Sequence, residues 1–213
     1  MKKAILVLAV LVGLGATPSS AGDWTLRLAG AWVDTNAGFD IVEPEEEIFG
    51  AIRVGGAPGL ALSIERRVGP HLGLKIAATV TSLPATFTIT KSGATFRDDD
   101  DLDVVPVALS MTWHPWRAHR LDPWLGLGGA WVHFGDVRFF ESEGANGDDD
   151  LGWTIEAGMD LRHDPKGRFG ATIAVVYVAA DFAGVEQDEP DRGRTPVDTT
   201  TIQVGLSVRL GKG

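Results

Sequence analysis

Charged residues recur at alternate positions inside runs that are otherwise apolar. Glu156, Asp160 and Arg162 alternate with Ile155, Ala157, Met159 and Leu161. Gln203 and Arg209 alternate with Ile202, Val204, Leu206, Val208 and Leu210. Arg27, Glu65 and Lys75 hold the same kind of position in earlier runs. Period two puts such residues on one face of a β-strand. Both signs are present, so the chemistry on offer is ion pairing or a polar path for a solute. Buried charge is costly unless it is paired or wet. The simpler reading is therefore a salt-bridge network that plugs a narrow lumen, and the functional one is a conduction path.

Other candidate chemistry is weaker. Acid runs occur at Glu43 with Glu45–Glu47, at Asp98–Asp101 with Asp103, at Asp148–Asp150, and at Asp188, Glu189 and Asp191. Carboxylates suit hard divalent cations, but none of these runs has EF-hand spacing, and charge runs are ordinarily solvated faces. The histidines are His71, His114, His119, His133 and His163. All but His133 fall in or beside turns, and no pair forms a metal motif such as H-E-x-x-H. His133 with Ser142 and Glu143 makes no convincing hydrolase set. Gly126-Leu127-Gly128-Gly129 lies inside a strand and opens no helix, so it is not a dinucleotide loop. No catalytic residue, cofactor or metal ligand is expected, and the chain does not read as an enzyme.

The elements that position the alternating charges are strands. Eight are predicted, at 24–33, 59–67, 71–80, 104–113, 122–134, 152–162, 168–179 and 199–210. Most match the length of a tilted membrane strand, about 9–11 residues. The connections sort by length. Those at 68–70, 114–121 and 163–167 are short. Those at 34–58, 81–103, 135–151 and 180–198 are long and hold the acid runs. Sorted loops and an apolar outside predict an all-β, eight-stranded, antiparallel up-and-down transmembrane barrel. Leu60, Leu62 and Ile64, Leu72, Leu74 and Ile76, Val105 to Met111 in alternation, and Phe169, Ile173, Val175 and Tyr177 are placed toward lipid. Arg27, Glu65, Lys75, Ser110, Thr112, Glu156, Asp160, Arg162, Gln203 and Arg209 are placed inward.

The start Met1-Lys2-Lys3, the apolar run to about Ala16, and Ser19-x-Ala21 read as a signal peptide over 1–21, leaving a barrel domain over 22–213. That apolar run is too short to span a bilayer as a helix. The chain has 19 basic and 29 acidic residues, a formal charge of -10, which argues against nucleic acid as a partner. It has no cysteine, so an exported chain must hold together without disulfides. Seven tryptophans suit a water–lipid interface.

One stretch is more specific. Val105-Pro106-Val107-Ala108-Leu109-Ser110-Met111-Thr112-Trp113, followed by Arg120-Leu121-Asp122-Pro123-Trp124-Leu125-Gly126-Leu127-Gly128, resembles the fourth and fifth strands of the OmpW family of outer-membrane barrels. Pro106, Pro123, Trp124, Gly126 and Gly128 are the matching positions. Residues 71–87, Gly158-Met159-Asp160-Leu161 and Val176-Tyr177 are similar to other strands of that family. The last strand ends Val208-Arg209-Leu210, without the terminal aromatic residue usual in such barrels.

The resemblance implies a Gram-negative outer-membrane barrel, assembled by the outer-membrane machinery among lipid and lipopolysaccharide. It also implies a narrow, partly apolar channel for small hydrophobic molecules, with lateral release into the membrane. Proline cannot donate to a ladder, so Pro84 loosens the wall. Leu83, Pro84 and Phe87 are the expected gate, with Trp32 and Trp131 as apolar lining or girdle. A monomer is expected. The alternative is a plugged structural barrel whose acidic extracellular loops bind cations, lipopolysaccharide or a surface partner.

Overall fold

The computed structural model describes residues 24–43, 48–91, 94–116, 120–135, 149–164, 167–182 and 195–210. Its elements are all strands: β1 (Trp24–Thr35), β2 (Gly38–Glu43), β3 (Ile48–Val54), β4 (Ala57–Arg67), β5 (Leu72–Lys91), β6 (Ala94–Trp113), β7 (Leu121–Phe134), β8 (Asp149–Arg162), β9 (Phe169–Ala179), β10 (Asp181–Phe182), β11 (Thr195–Pro196) and β12 (Thr199–Leu210). Eight of them close a ring, in the order β1-β4-β5-β6-β7-β8-β9-β12 and back to β1, every neighbour antiparallel. Closure leaves no edge with unpaired backbone groups, which a strand in hydrocarbon cannot tolerate. The eight predicted strands are these eight.

Alternation decides the faces as the sequence indicates. On β1, Thr25, Arg27, Ala29, Ala31, Val33 and Thr35 point in and are buried, while Leu28 and Trp32 are exposed. The outside is an apolar belt that includes Leu60, Leu74, Leu109, Met111, Leu125, Leu127, Ile155, Ile173, Val204 and Leu206. Exposed apolar surface on this scale, wrapped around a ring, is a lipid-facing surface. Six of the seven tryptophans edge it. Trp24, Trp113 and Trp116 lie at the short-turn end, and Trp32, Trp131 and Trp153 at the other. Rings that are apolar in body and polar at the tip settle at these two interfaces. Trp32 and Trp131 are therefore girdle residues. The expectation that either lines the lumen is corrected, because each shares the outward parity of its strand.

The long connections differ from expectation. Residues 34–58 and 81–103 are not loops in the main but strand. β5 and β6 each run 20 residues and pair along nearly their whole length, from Leu72↔Trp113 to Lys91↔Ala94. β3 pairs with the upper part of β5, and β2 with β3. The result is a four-stranded blade that extends the wall beyond the ring. The alternation Thr86-Phe87-Thr88-Ile89-Thr90, rich in β-branched and aromatic residues, favours strand. Asp98–Asp101 and Asp103 lie in β6, whose residues 94–103 pair on one side only among the described residues. Acid side chains on such an edge discourage pairing with a second chain. Asp99 accepts from Thr86 Oγ1 at 2.7 Å and from Arg97 at 3.2 Å. Those contacts hold its carboxyl below the ordinary range. Glu45–Glu47, Asp148, Asp188, Glu189, Asp191 and residues 1–23 lie outside the described residues.

Leu206 faces outward at mid-height between Leu28 and Ala171 and is 68% exposed. Leu206→Arg is expected to cost about 2–4 kcal/mol, the depth-dependent cost of a cation on the lipid face. Urea unfolding from lipid vesicles measures it, and a cost near zero would mean that this face does not meet lipid.

Candidate functional site

The interior has two storeys. At the short-turn end the inward positions carry charge. Arg27 (β1) is central: its Nε donates to Asp160 Oδ1 at 3.0 Å, Nη2 to Asp160 Oδ2 at 2.8 Å, and Nη1 to Glu65 Oε2 at 2.8 Å. Lys75 (β5) pairs with Glu156 (β8), which also accepts from Ser110 Oγ (β6). Arg162 (β8) reaches Asp122 Oδ2 at 3.3 Å and Asp160 Oδ2 at 3.4 Å. Arg67 (β4) reaches Asp122 Oδ2 at 2.6 Å, and Arg209 (β12) lies 3.8 Å from the same carboxylate. His114 sits among them with no exposure, its Nε2–H directed at Glu65 Oε1 at 2.6 Å. Pairs crossing between six of the ring strands tie the floor of the barrel together.

One aromatic side chain joins this layer. Trp124 (β7) points inward and is 2% exposed. Lys75 Nζ lies 3.9 Å, and Arg27 Cζ 5.2 Å, from its ring centroid. Cations over a desolvated indole face are attracted by its quadrupole. Two glycines make room for the bulk. A Cβ at Gly158 would stand 2.3 Å from Trp124, and one at Gly126 would stand 2.6 Å from Glu156. An eight-stranded ring is just wide enough to be filled by side chains, so this layer is a plug.

Above it the lining changes to small apolar residues. Ala29, Ala31, Val33, Ala57, Ala61, Leu83, Val104, Ala108, Ala130, Val132, Phe134, Val176 and Val178 are all buried there. Two threonines of this layer turn their hydroxyls to the wall: Thr81 Oγ1 donates to Pro58 O at 3.1 Å and Thr154 Oγ1 to Tyr177 O at 2.9 Å. The upper lumen is thus an apolar chamber packed by its own almost wholly buried side chains, standing on an ionic floor.

The wall of the chamber is interrupted along β5. Pairing with β4 ends at Gly59↔Thr81, and pairing with β3 begins at Val54↔Ala85. Four residues on one side face three on the other, which is a β-bulge. Gly55 N donates to Pro84 O at 2.8 Å across it. On the opposite edge the β5–β6 register passes from Ala78↔Val107 to Thr81↔Val104, skipping the positions beside Pro106. Proline has no N–H for that ladder.

The structure brings together nine of the ten inward polar residues singled out from the sequence: Arg27, Glu65, Lys75, Ser110, Thr112, Glu156, Asp160, Arg162 and Arg209. Gln203 points inward too but stands higher, between Ala31 and Ala174, in the apolar layer. Leu83 is fully buried and points in, Phe87 shares its parity, and Pro84 faces out. Sequence reasoning missed Arg67, His114, Asp122 and Trp124. Asp122 and Trp124 follow the inward parity of Gly126, so their signal was present. His114, beside a turn in sequence, is buried within the plug at its short-turn edge, and Arg67 stands at a strand end.

No protein-family model matches the chain, and no curated protein matches it in sequence. Solved structures match its fold. The solid-state NMR structure of the outer-membrane protein AlkL in DMPC bilayers superposes with a TM-score of 0.65 at 19% identity, covering 92% of this chain and 93% of that one. The crystal structure of the outer-membrane protein OprG from Pseudomonas aeruginosa gives 0.62 at 18% identity, covering 90% and 97%. Neisserial surface protein A gives 0.54 at 12% identity, covering 88% and 97%. The fold is that of an eight-stranded outer-membrane β-barrel, as the alternation and the OmpW-like motif imply.

Removing one partner of a buried pair costs about 3–5 kcal/mol, while replacing both by apolar residues costs much less. Glu156→Leu is therefore expected to destabilise the barrel strongly, and Lys75→Met with Glu156→Leu to recover most of the loss. A double-mutant cycle by urea unfolding reads the coupling, and additive losses would deny the pair its place in the plug.

Proposed function

We propose that this barrel, standing in the outer membrane of a Gram-negative cell, takes small apolar molecules from outside into its upper lumen and releases them sideways into the membrane. The observation that carries this reading is the divided lumen. An apolar solute entering from the long-connection end meets a lining that favours it. It then meets a floor of paired charges, which offers it nothing and would have to be pulled apart to let it pass. The exit that remains is through the wall. The ladder along β5 is broken on its β6 edge at residues 79–80 and on its β4 edge at residues 82–84, and Leu83 is fully buried there. Leu83, Pro84 and Phe87 form the gate in this reading, and the tryptophan girdle fixes its height in the bilayer.

The experiment is uptake of a small apolar compound by cells with and without the chain. Pro84→Val adds a backbone donor where β5 changes partner, and Leu83→Trp overfills the chamber. Both are expected to slow entry toward that of cells lacking the chain while the barrel keeps its heat-modifiable gel mobility. Entry unchanged by either variant would overturn the sideways route. It would favour a plugged barrel acting through its acid-bearing β6 extension on cations, lipopolysaccharide or a surface partner.

A further inference from the structure

His114 is the one plug residue whose ordinary titration range spans neutral pH. Its surroundings are defined on every side. Glu65 and Arg67 face it from β4, and Asp122 from β7. Arg162 of β8 and Arg209 of β12 contact the same Asp122. Arg27 contacts the same Glu65. The backbone on either side of the ring is pinned: His114 N donates to His71 O, and His71 Nδ1–H to His114 O, each at 2.8 Å.

The Nδ1 atom has two incompatible neighbours. Asp122 Oδ1 lies 2.9 Å away and can only accept, while Arg67 Nη2 lies 2.7 Å away and can only donate. A proton on Nδ1 serves Asp122 and repels Arg67. A lone pair on Nδ1 serves Arg67, while Nε2–H keeps Glu65 in either state. Arg67 is the member placed to respond, held from the other side by Asp122 Oδ2 at 2.6 Å and Glu65 Oε1 at 3.5 Å. Its side chain is 14% exposed at the short-turn mouth, against 0–2% for His114, Glu65 and Asp122.

We infer that His114 and Arg67 form a proton-operated latch at the periplasmic mouth, in which protonation of His114 Nδ1 expels the Arg67 guanidinium toward the periplasm and deprotonation draws it in over the plug. The latch depends on the plug geometry and not on what the upper chamber carries. It makes the tightness of the floor a function of periplasmic pH, with the mouth looser on the acid side.

Two measurements on the refolded barrel test it together, from about pH 5 to about pH 9, a range that brackets ordinary histidine titration. Ring ¹⁵N shifts of labelled histidine follow Nδ1 of His114, assigned by its loss in His114→Gln. Phenylglyoxal modification, read by mass spectrometry as the Arg67 rate divided by that of exposed Arg168, follows the guanidinium. The expected result is a several-fold fall in the ratio as pH rises, with the same midpoint as the Nδ1 titration, and a flat ratio in His114→Gln. A flat ratio in the wild type overturns the latch, as does an Nδ1 that stays in one protonation state throughout. The wild-type measurements decide the matter even if the variant does not refold.

Discussion

Charge inside a barrel this narrow has to be paired, and the rest of the structure follows from that. Arg27 holds Asp160 and Glu65 at once, from three different strands. Lys75 and Glu156 span β5 and β8. Each pair is buried beyond the help of bulk water, so each partner makes the other tolerable. Such pairs are weak evidence for stability as such, but they fix register. A strand slipped by one residue would carry its charges into lipid and its leucines into the plug. The plug also dictates where the wall is bare. Gly126 and Gly158 stand where Glu156 and Trp124 need the space.

The plug in turn sets what the upper lumen can do. The upper lumen is lined mainly by apolar side chains, with the hydroxyls of Thr81 and Thr154 turned back to the wall and the Gln203 amide among them. A floor of paired charges below, and the change of partner along β5 beside the lumen, are what the proposed sideways route rests on. Fold alone does not define function. The proposed passage of apolar solutes and their sideways release rest on this division of the lumen, not on the likeness to AlkL and OprG.

Much of this was legible in the chain. Ile202 to Leu210 and Ile155 to Leu161 give the faces outright, because period two has one meaning once one face is apolar and the other charged. Nine of the inward polar residues of the plug came from that rule alone. Applied strictly, it also places Trp32 and Trp131 outward, since they share parity with Leu28 and Leu127. The upper halves of β5 and β6 were obscured by Pro84 and by Asp98–Asp101, which read as a strand end and a solvated loop. Pro84 falls where β5 changes partner, so its missing donor breaks no continuous ladder. The aspartates sit on an edge, where charge is welcome. His114 could not be found from spacing. It lies one residue past β6, where the short β6–β7 turn brings Asp122 to it and the curvature of the wall brings Glu65 across from β4.

Permeability to a small polar solute tests the sealed floor most directly. Purified barrel in lipid vesicles, placed in an isotonic sugar or amino-acid solution, either swells the vesicles or does not. A floor closed by paired charges gives swelling no faster than that of empty vesicles. Swelling at the rate of an open porin would mean a continuous aqueous path through the plug, and would contradict the division of the lumen on which the proposed route depends.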